Sequence, residues 1–198
     1  MPKIDTRQFY YSALKRYGTT PQALHWIDHN RQTIRFRQIL HALPKDLAST
    51  TLVDAGCGFG DFYLFLQKND KQPSKYVGID ILEKFTRIAK KRTNTTVICA
   101  DILRDPLIRA DWYICSGTLN TLTYFETHLF LQRCIEYASC GVVFNFLCAD
   151  KESDVYNYIT EKAMLQLLRH YKTEIFFISK GYLPNDMTIA IRKTNKKA

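Results

Sequence analysis

The 198-residue sequence has no Cys-x-x-Cys pair, and its six cysteines are scattered. A zinc ribbon and a dithiol redox motif are therefore excluded. Cys99, Cys115 and Cys148 sit inside apolar runs and read as buried thiols of a reducing compartment. No apolar stretch approaches the ~18 residues of a membrane span, so no membrane partner is expected. The first residues, MPKIDTRQFYYSALKRYG, lack the apolar core of a secretory signal, and a cytoplasmic protein is expected. Histidine is scarce too. His25 and His29 stand four residues apart, but no third ligand accompanies them, and no metal is expected. Acids are outnumbered, 19 against 28 lysines and arginines, which leaves a net charge of +9. That charge admits a nucleic acid or another acidic partner. The basic residues are dispersed, however, and the densest run, Lys84 to Arg92, has the form of the wet face of an amphipathic helix. An RNA partner stays open without a patch to mark it. The basic tail from Arg192 to Lys197 reads as a frayed end.

The length suits one globular unit with a sizeable core. Residues 1–48 read as helical and as a lid-like extension of the domain over 49–198. Thr20-Pro21 has the pattern of a helix start, and a second helix is expected from Arg31 to Ala42, ending near Pro44. From Thr51 onward short apolar runs alternate with amphipathic ones. Strands are expected at 51–55, 75–80, 96–100, 112–116 and 141–146, and helices at 61–69, 82–93, 126–138 and 155–170. Strict β-α alternation implies a parallel sheet with helices on both faces, a doubly wound Rossmann-like α/β fold. Segments 171–182 and 187–193 flank Leu-Pro-Asn-Asp and read as an antiparallel hairpin.

Glycine occurs only eight times, and three of the eight fall at Gly56, Gly58 and Gly60, directly after the first strand. Ligands of open α/β sheets bind beyond the carboxyl ends of the strands, where a glycine-rich turn lets a ligand approach the main chain. The helix that begins near Asp61 would direct its N–H groups there. The spacing G-x-G-x-G differs from the G-x-G-x-x-G of dinucleotide binders and weakens a dehydrogenase reading. Asp80 ends the second strand, where a carboxylate can accept both ribose hydroxyls of a nucleoside. Asp101 ends the third, which suits a ligand whose adenine amino group needs an acceptor. Each acid alone would read as a solvated loop residue; together they mark a site.

DAGCGFGD, YVGID and CADI resemble the first three motifs of the class I S-adenosylmethionine-dependent methyltransferases, over roughly residues 50 to 193. The resemblance implies a seven-stranded, mostly parallel sheet with a C-terminal antiparallel hairpin, and S-adenosylmethionine as methyl donor. It also implies roles. Asp54 and the Gly56–Gly60 loop would hold the methionine end. Asp80 would hold the ribose, with Ile81 against the adenine, and Asp101 and Ile102 would meet the adenine from the other side. Ser116, at the end of the fourth strand, joins these donor-site candidates. After it, Ser116-Gly117-Thr118-Leu119-Asn120 is similar to an S-G-x-F/L-N variant of small bacterial methyltransferases. Tyr17-Gly18, Gln32 to Phe36 and Tyr182 to Thr188 are similar to further elements of that subgroup, with Met187 in place of Phe. The N/D-P-P-Y/F tetrad of exocyclic-amine methylation and the Pro-Cys nucleophile of cytosine methylation are absent.

No catalytic base is legible. The sulfonium donor is already activated, so proximity and orientation can carry the transfer. Asn120 is a candidate for binding substrate or for shaping its loop. Asn145, inside an apolar run, needs a partner, which a substrate or the protein itself would supply. Arg35 is a candidate for pairing with the donor carboxylate, or a surface arginine. Tyr10, Tyr11 and Tyr17 would wall the pocket or pack as core, with Tyr17 kept as a substrate-binding candidate. Methyl transfer to a small molecule is the expected activity. An RNA or ribosome-associated methyltransferase and a non-catalytic donor-binding partner protein are the alternatives.

Overall fold

The structure is a computed structural model and describes residues 5–24 and 28–194. Helix α1 (Thr6–Tyr17) is capped by Asp5, whose side chain accepts from the Gln8 N–H. A 3-10 turn follows at Pro21–Leu24. It opens at Pro21, as the pattern predicts, and the Thr20 hydroxyl donates back to the Tyr17 carbonyl at 2.9 Å. Helix α2 (His29–Ala42) starts instead at Asp28, which accepts from the Arg31 N–H at 2.7 Å.

The alternating part then runs β1 (Thr51–Ala55), α3 (Asp61–Lys68), β2 (Lys75–Asp80), α4 (Glu83–Thr93), β3 (Thr96–Cys99), β4 (Ala110–Ser116), α5 (Tyr124–Tyr137), β5 (Ala138–Leu147) and α6 (Glu161–Leu168). The hairpin β6 (Thr173–Lys180) and β7 (Asp186–Lys193) completes it. The seven strands form one sheet in the order β3-β2-β1-β4-β5-β7-β6. β1 to β5 pair in parallel, and β7 enters antiparallel between β5 and β6. Arg192 and Lys193, expected in a frayed tail, finish β7, and Arg192 pairs with Glu174 on β6.

Side-chain alternation sorts the core into two layers. Val53, Tyr113 and Cys115 face α5 and α6, where they meet Phe130, Leu131, Met164 and Leu167. Leu52, Trp112 and Ile114 face α2 and α3, against Phe36, Ile39, Phe62 and Leu66. Helix α2 is thus packed into the sheet's own core. α1 and the 3-10 turn lie apart, in a smaller cluster where Tyr10, Leu14 and Ala23 meet Phe59, Leu82 and Phe85 of the glycine loop and α4. The expected helix at 155–170 is shorter than its pattern. Thr160 caps α6 by accepting from the Ala163 N–H, and Tyr156 to Ile159 run outside it. Among the described residues, no helix is long and apolar enough to cross a membrane.

Candidate functional site

The sheet order reverses between β1 and β4, and a cavity of about 500 Å³ opens there beyond the strand carboxyl ends. That volume lies within the roughly 300–1,000 Å³ usual for small-molecule sites. Asp54, Gly56, Gly58, Asp80, Ile81 and Asp101 line it. So do Ile102, Ser116, Asn120 and Arg35. Gly60, Tyr17 and Asn145 do not.

The three glycines of the loop answer to different neighbours. The N–H groups of Gly56 and Cys57 both donate to the Ile79 carbonyl, at 2.7 and 3.0 Å, and pin the loop to β2. Gly56 has φ +87°, and a Cβ there would stand 1.9 Å from Thr118 Oγ1, the hydroxyl that reaches back to the Ala55 carbonyl. A Cβ on Gly58 would meet the Leu24 side chain at 3.2 Å, under the 3-10 turn. A Cβ on Gly60 would meet Thr93 of α4 at 2.4 Å. All three glycines therefore face the protein's own side chains, and of the three Gly56 and Gly58 also line the cavity.

Asp80 is buried at the cavity wall. Its two carboxylate oxygens accept from the backbone N–H groups of Gly58 and Leu82, each at 2.9 Å. Burial pushes its carboxyl up to about 6, and the N–H donors of Leu82, Gly58 and Ile81 oppose that rise. Asp54 is pushed up to about 7, first by burial, against the Tyr76 hydroxyl that donates to it at 2.6 Å. The neighbouring acids Asp80 and Asp61 add to the rise. Asp61 itself opens α3, pairs with Arg92 at 2.8 Å and accepts from Gln32 Nε2 at 3.2 Å. Ile81 leaves 49% of its surface exposed at the cavity, an apolar side chain with room for a partner. Asp101 turns its carboxylate into its own loop, accepting from the Leu103 N–H at 2.9 Å.

Arg35 stands neither at the surface nor free for a donor carboxylate. It is buried and grips Asp186, at the start of β7, with contacts of 2.5 and 2.7 Å to the two oxygens. Asn145 is fully buried. Its Oδ1 accepts from the Gly117 N–H at 3.0 Å and its Nδ2 lies 3.4 Å from Ser116 Oγ, so it shapes the loop after β4. Replacing Asn145 by alanine is expected to lower stability by about 1–3 kcal/mol, because the Gly117 N–H loses this acceptor. A denaturant titration checks it, and an unchanged midpoint would contradict the role. Asn120 is buried in the 3-10 turn Thr118–Thr121, and its Oδ1 finds no partner among the described residues.

Tyr17 is exposed at the end of α1 under Arg16. Tyr10, about two turns earlier on the same helix, lines the cavity instead. Burial pushes its phenol up to about 12 despite a hydrogen bond with Thr121, so it stays protonated at neutral pH. His25 lies outside the described residues, and among those described no cluster of three metal-ligating side chains occurs. Asp61, Tyr156 and Tyr158 also line the cavity and were not singled out from sequence, while Gln32 and Asp186, which line it too, stood there only within the elements 32–36 and 182–188. Asp61 had a visible signal, as an acid directly after the third glycine. Tyr156 and Tyr158 were hidden by reading their segment as helix.

A glycine loop and acids at successive strand ends thus meet at the switch point of a doubly wound sheet, where open α/β folds bind their ligands. Residues 52–141 match the family described as the methyltransferase domain. Among solved structures it is similar to magnesium protoporphyrin IX methyltransferase from Synechocystis PCC 6803 with bound S-adenosylhomocysteine, at 15% identity and TM-score 0.71, covering 95% of this chain and 97% of that one. It is also similar to human N-acetylserotonin methyltransferase in complex with S-adenosylmethionine, at 18% identity and TM-score 0.70, covering 95% of this chain and 57% of that one. A third likeness is to a chain of the complex between the Haloferax volcanii Trm112 methyltransferase activator and a protein assigned as a methyltransferase. It has 10% identity and TM-score 0.75, covering 98% of this chain and 100% of that one. At these identities the likeness is one of fold. Comparison with curated protein sequences gives no match.

Proposed function

We propose that this protein transfers the methyl group of S-adenosylmethionine to a small-molecule acceptor taken into the cavity. The observation that carries this reading is the cavity's make-up. One cavity joins the glycine loop and the acids Asp54 and Asp80 to the aromatic residues Tyr10, Tyr156 and Tyr158. The acids and the glycine loop suit a cationic nucleoside, and the aromatic end suits a small organic acceptor rather than a polynucleotide backbone. When bound, S-adenosylmethionine supplies an activated methyl on a sulfonium, so the chain's own task is to orient the acceptor and exclude water. Asp80 would hold the ribose, Ile81 and Ile102 the adenine, and Asp54 the cationic methionine end. α1 and the turn Pro21–Leu24 would form the cover, while α2 stays with the core.

The test is formation of S-adenosylhomocysteine from S-adenosylmethionine with fractionated small molecules and, separately, with tRNA and rRNA. Turnover is expected with a small-molecule fraction. Turnover with RNA alone would contradict the acceptor class.

A pH dependence follows from the two raised carboxyls. In the ligand-free protein both bind protons that they lose in the unfolded chain above about pH 4. Their contribution to stability is therefore fullest at low pH and falls as pH rises through about 6 for Asp80 and about 7 for Asp54. A cationic ligand favours the ionised acids and reverses this. Donor binding at pH 6.5 is expected to release about half a proton or more, and affinity is expected to rise toward pH 8. Calorimetry in two buffers of different ionisation enthalpy measures the release; none at pH 6.5 would contradict the placement of these acids at the donor.

A further inference from the structure

We propose that Asn120 orients the methyl acceptor, and that the acceptor presents a neutral amine nitrogen on a small aromatic or heteroaromatic molecule. The assignment rests on the methyl-transfer reading of the cavity. Asn120 lies in the turn Thr118–Thr121 that follows β4. At one end of this turn the Thr118 hydroxyl bonds the Ala55 carbonyl beside the glycine loop. At the other end Thr121 bonds Tyr10 of α1. Asn120 thus stands between the donor end and the aromatic residues. Its main chain is tied to those residues as well, because its carbonyl accepts at 2.7 Å from the N–H of Asn157, which separates Tyr156 from Tyr158. The side chain is 8% exposed and lines the cavity, and its Oδ1 has no partner among the described residues. A buried acceptor in that state calls for an N–H or O–H donor.

The choice between the two donors follows from the bases at hand. Every carboxylate that lines the cavity is engaged by the protein. Asp54 accepts from Tyr76, Asp80 from the N–H groups of Gly58 and Leu82, and Asp101 from the Leu103 N–H. Asp61 pairs with Arg92 and Asp186 with Arg35. Glu126 accepts from the Thr123 N–H at 3.0 Å in the capping box of α5. Among the described residues no histidine lines the cavity. Burial raises the phenols of Tyr10 and Tyr156, so both stay protonated. An alcohol or phenol that donates its O–H to Asn120 would become an oxonium on methylation unless a base took the proton. A thiolate or a carboxylate needs no base but has no hydrogen for Oδ1. A neutral amine has both an N–H for Asn120 and a lone pair for the methyl carbon. As the nitrogen–carbon bond forms, the carbon–sulfur bond breaks and its electron pair stays on sulfur. The positive charge passes from the sulfonium to the new ammonium, which loses a proton to water on release. Apolar surroundings disfavour a charged amine beforehand, so an aryl or heteroaryl amine, uncharged at neutral pH, fits better than an alkylamine.

The test transfers an isotope-labelled methyl group from S-adenosylmethionine to the small-molecule fraction that turns over, and reads the labelled product by carbon–proton NMR. An N-methyl signal is expected. An O-methyl, S-methyl or C-methyl signal would overturn the amine assignment and leave the methyl-transfer reading standing. No turnover with any small-molecule fraction would overturn both. With the same fraction, Asn120→Ala is expected to lower kcat/KM about 10- to 100-fold, the effect of a misplaced nucleophile. Its calorimetric affinity for S-adenosylhomocysteine is expected to stay within about twofold of wild type, since the residue faces the acceptor. Asn120→Asp, which keeps an accepting oxygen, is expected to recover activity to within about fivefold of wild type. Thermal melts of both variants check folding. An Asn120→Ala protein with unchanged kcat/KM, or one that loses donor affinity as much as turnover, would remove Asn120 from this role.

Discussion

Replacing Arg35 by alanine is expected to lower stability by about 3–5 kcal/mol, the usual cost of leaving one charge of a buried pair uncompensated. In a domain of this size that is a fall in Tm of roughly 6–20 °C. The partner, Asp186, is buried at the start of β7, and burial already raises its carboxyl against the lowering effect of Arg35. Without Arg35 that rise grows, so the folded variant takes up a proton more readily. The deficit should then be greatest at pH 8 and shrink toward pH 5. The double variant Arg35→Met/Asp186→Leu, which removes both charges, is expected to be more stable than either single variant. Thermal melts of wild type, Arg35→Ala, Arg35→Met, Asp186→Leu and the double variant at two pH values decide it. A single variant within about 0.5 kcal/mol of wild type, as for a surface arginine, would contradict the pairing.

The second large effect is on binding. Asp80→Ala is expected to weaken S-adenosylmethionine and S-adenosylhomocysteine by about 1–3 kcal/mol, roughly 5- to 150-fold. The upper end is expected because Asp80 has two duties. It would accept ribose hydroxyls, and it also holds the glycine loop through Gly58 and the following turn through Leu82. Circular dichroism should show the fold intact, since the strands around it are held by their own ladders. Unchanged affinity would mean that the ribose lies elsewhere.

Much of the scaffold was legible because parallel strands buried on both faces are continuous apolar runs. VDA, YVGID and YICS could hardly be anything but strand, and the first two carry at their carboxyl ends the acids Asp54 and Asp80 that line the cavity. What could not be read were the long-range partners. The G-x-G-x-G spacing announced a close approach, but the atoms that approach Gly56 and Gly60 belong to Thr118 and Thr93, which the fold alone brings near. Arg35 drew notice as a cation near the N-terminus, yet its partner Asp186 lies 151 residues away. Asn145 stood out as a polar residue in an apolar strand, and the need for a partner was correct in principle; the Gly117 N–H meets it. The segment 155–160 misled because Val155, Tyr156 and Ile159 mimic a helical stripe, while Thr160 caps the true start of α6. The aromatic end of the cavity was lost with that misreading.

The most direct measurement is calorimetric titration of S-adenosylmethionine, S-adenosylhomocysteine and NAD into the purified protein, at low and moderate salt. Micromolar binding of both sulfur nucleosides without NAD is expected, since the glycine spacing departs from the dinucleotide pattern and Asp80 and Asp54 suit a cationic nucleoside. The affinity should change little with salt, because the acids concerned are buried. Binding of NAD alone, or of none of the three, would contradict a methyl-donor site at the carboxyl ends of β1 and β2.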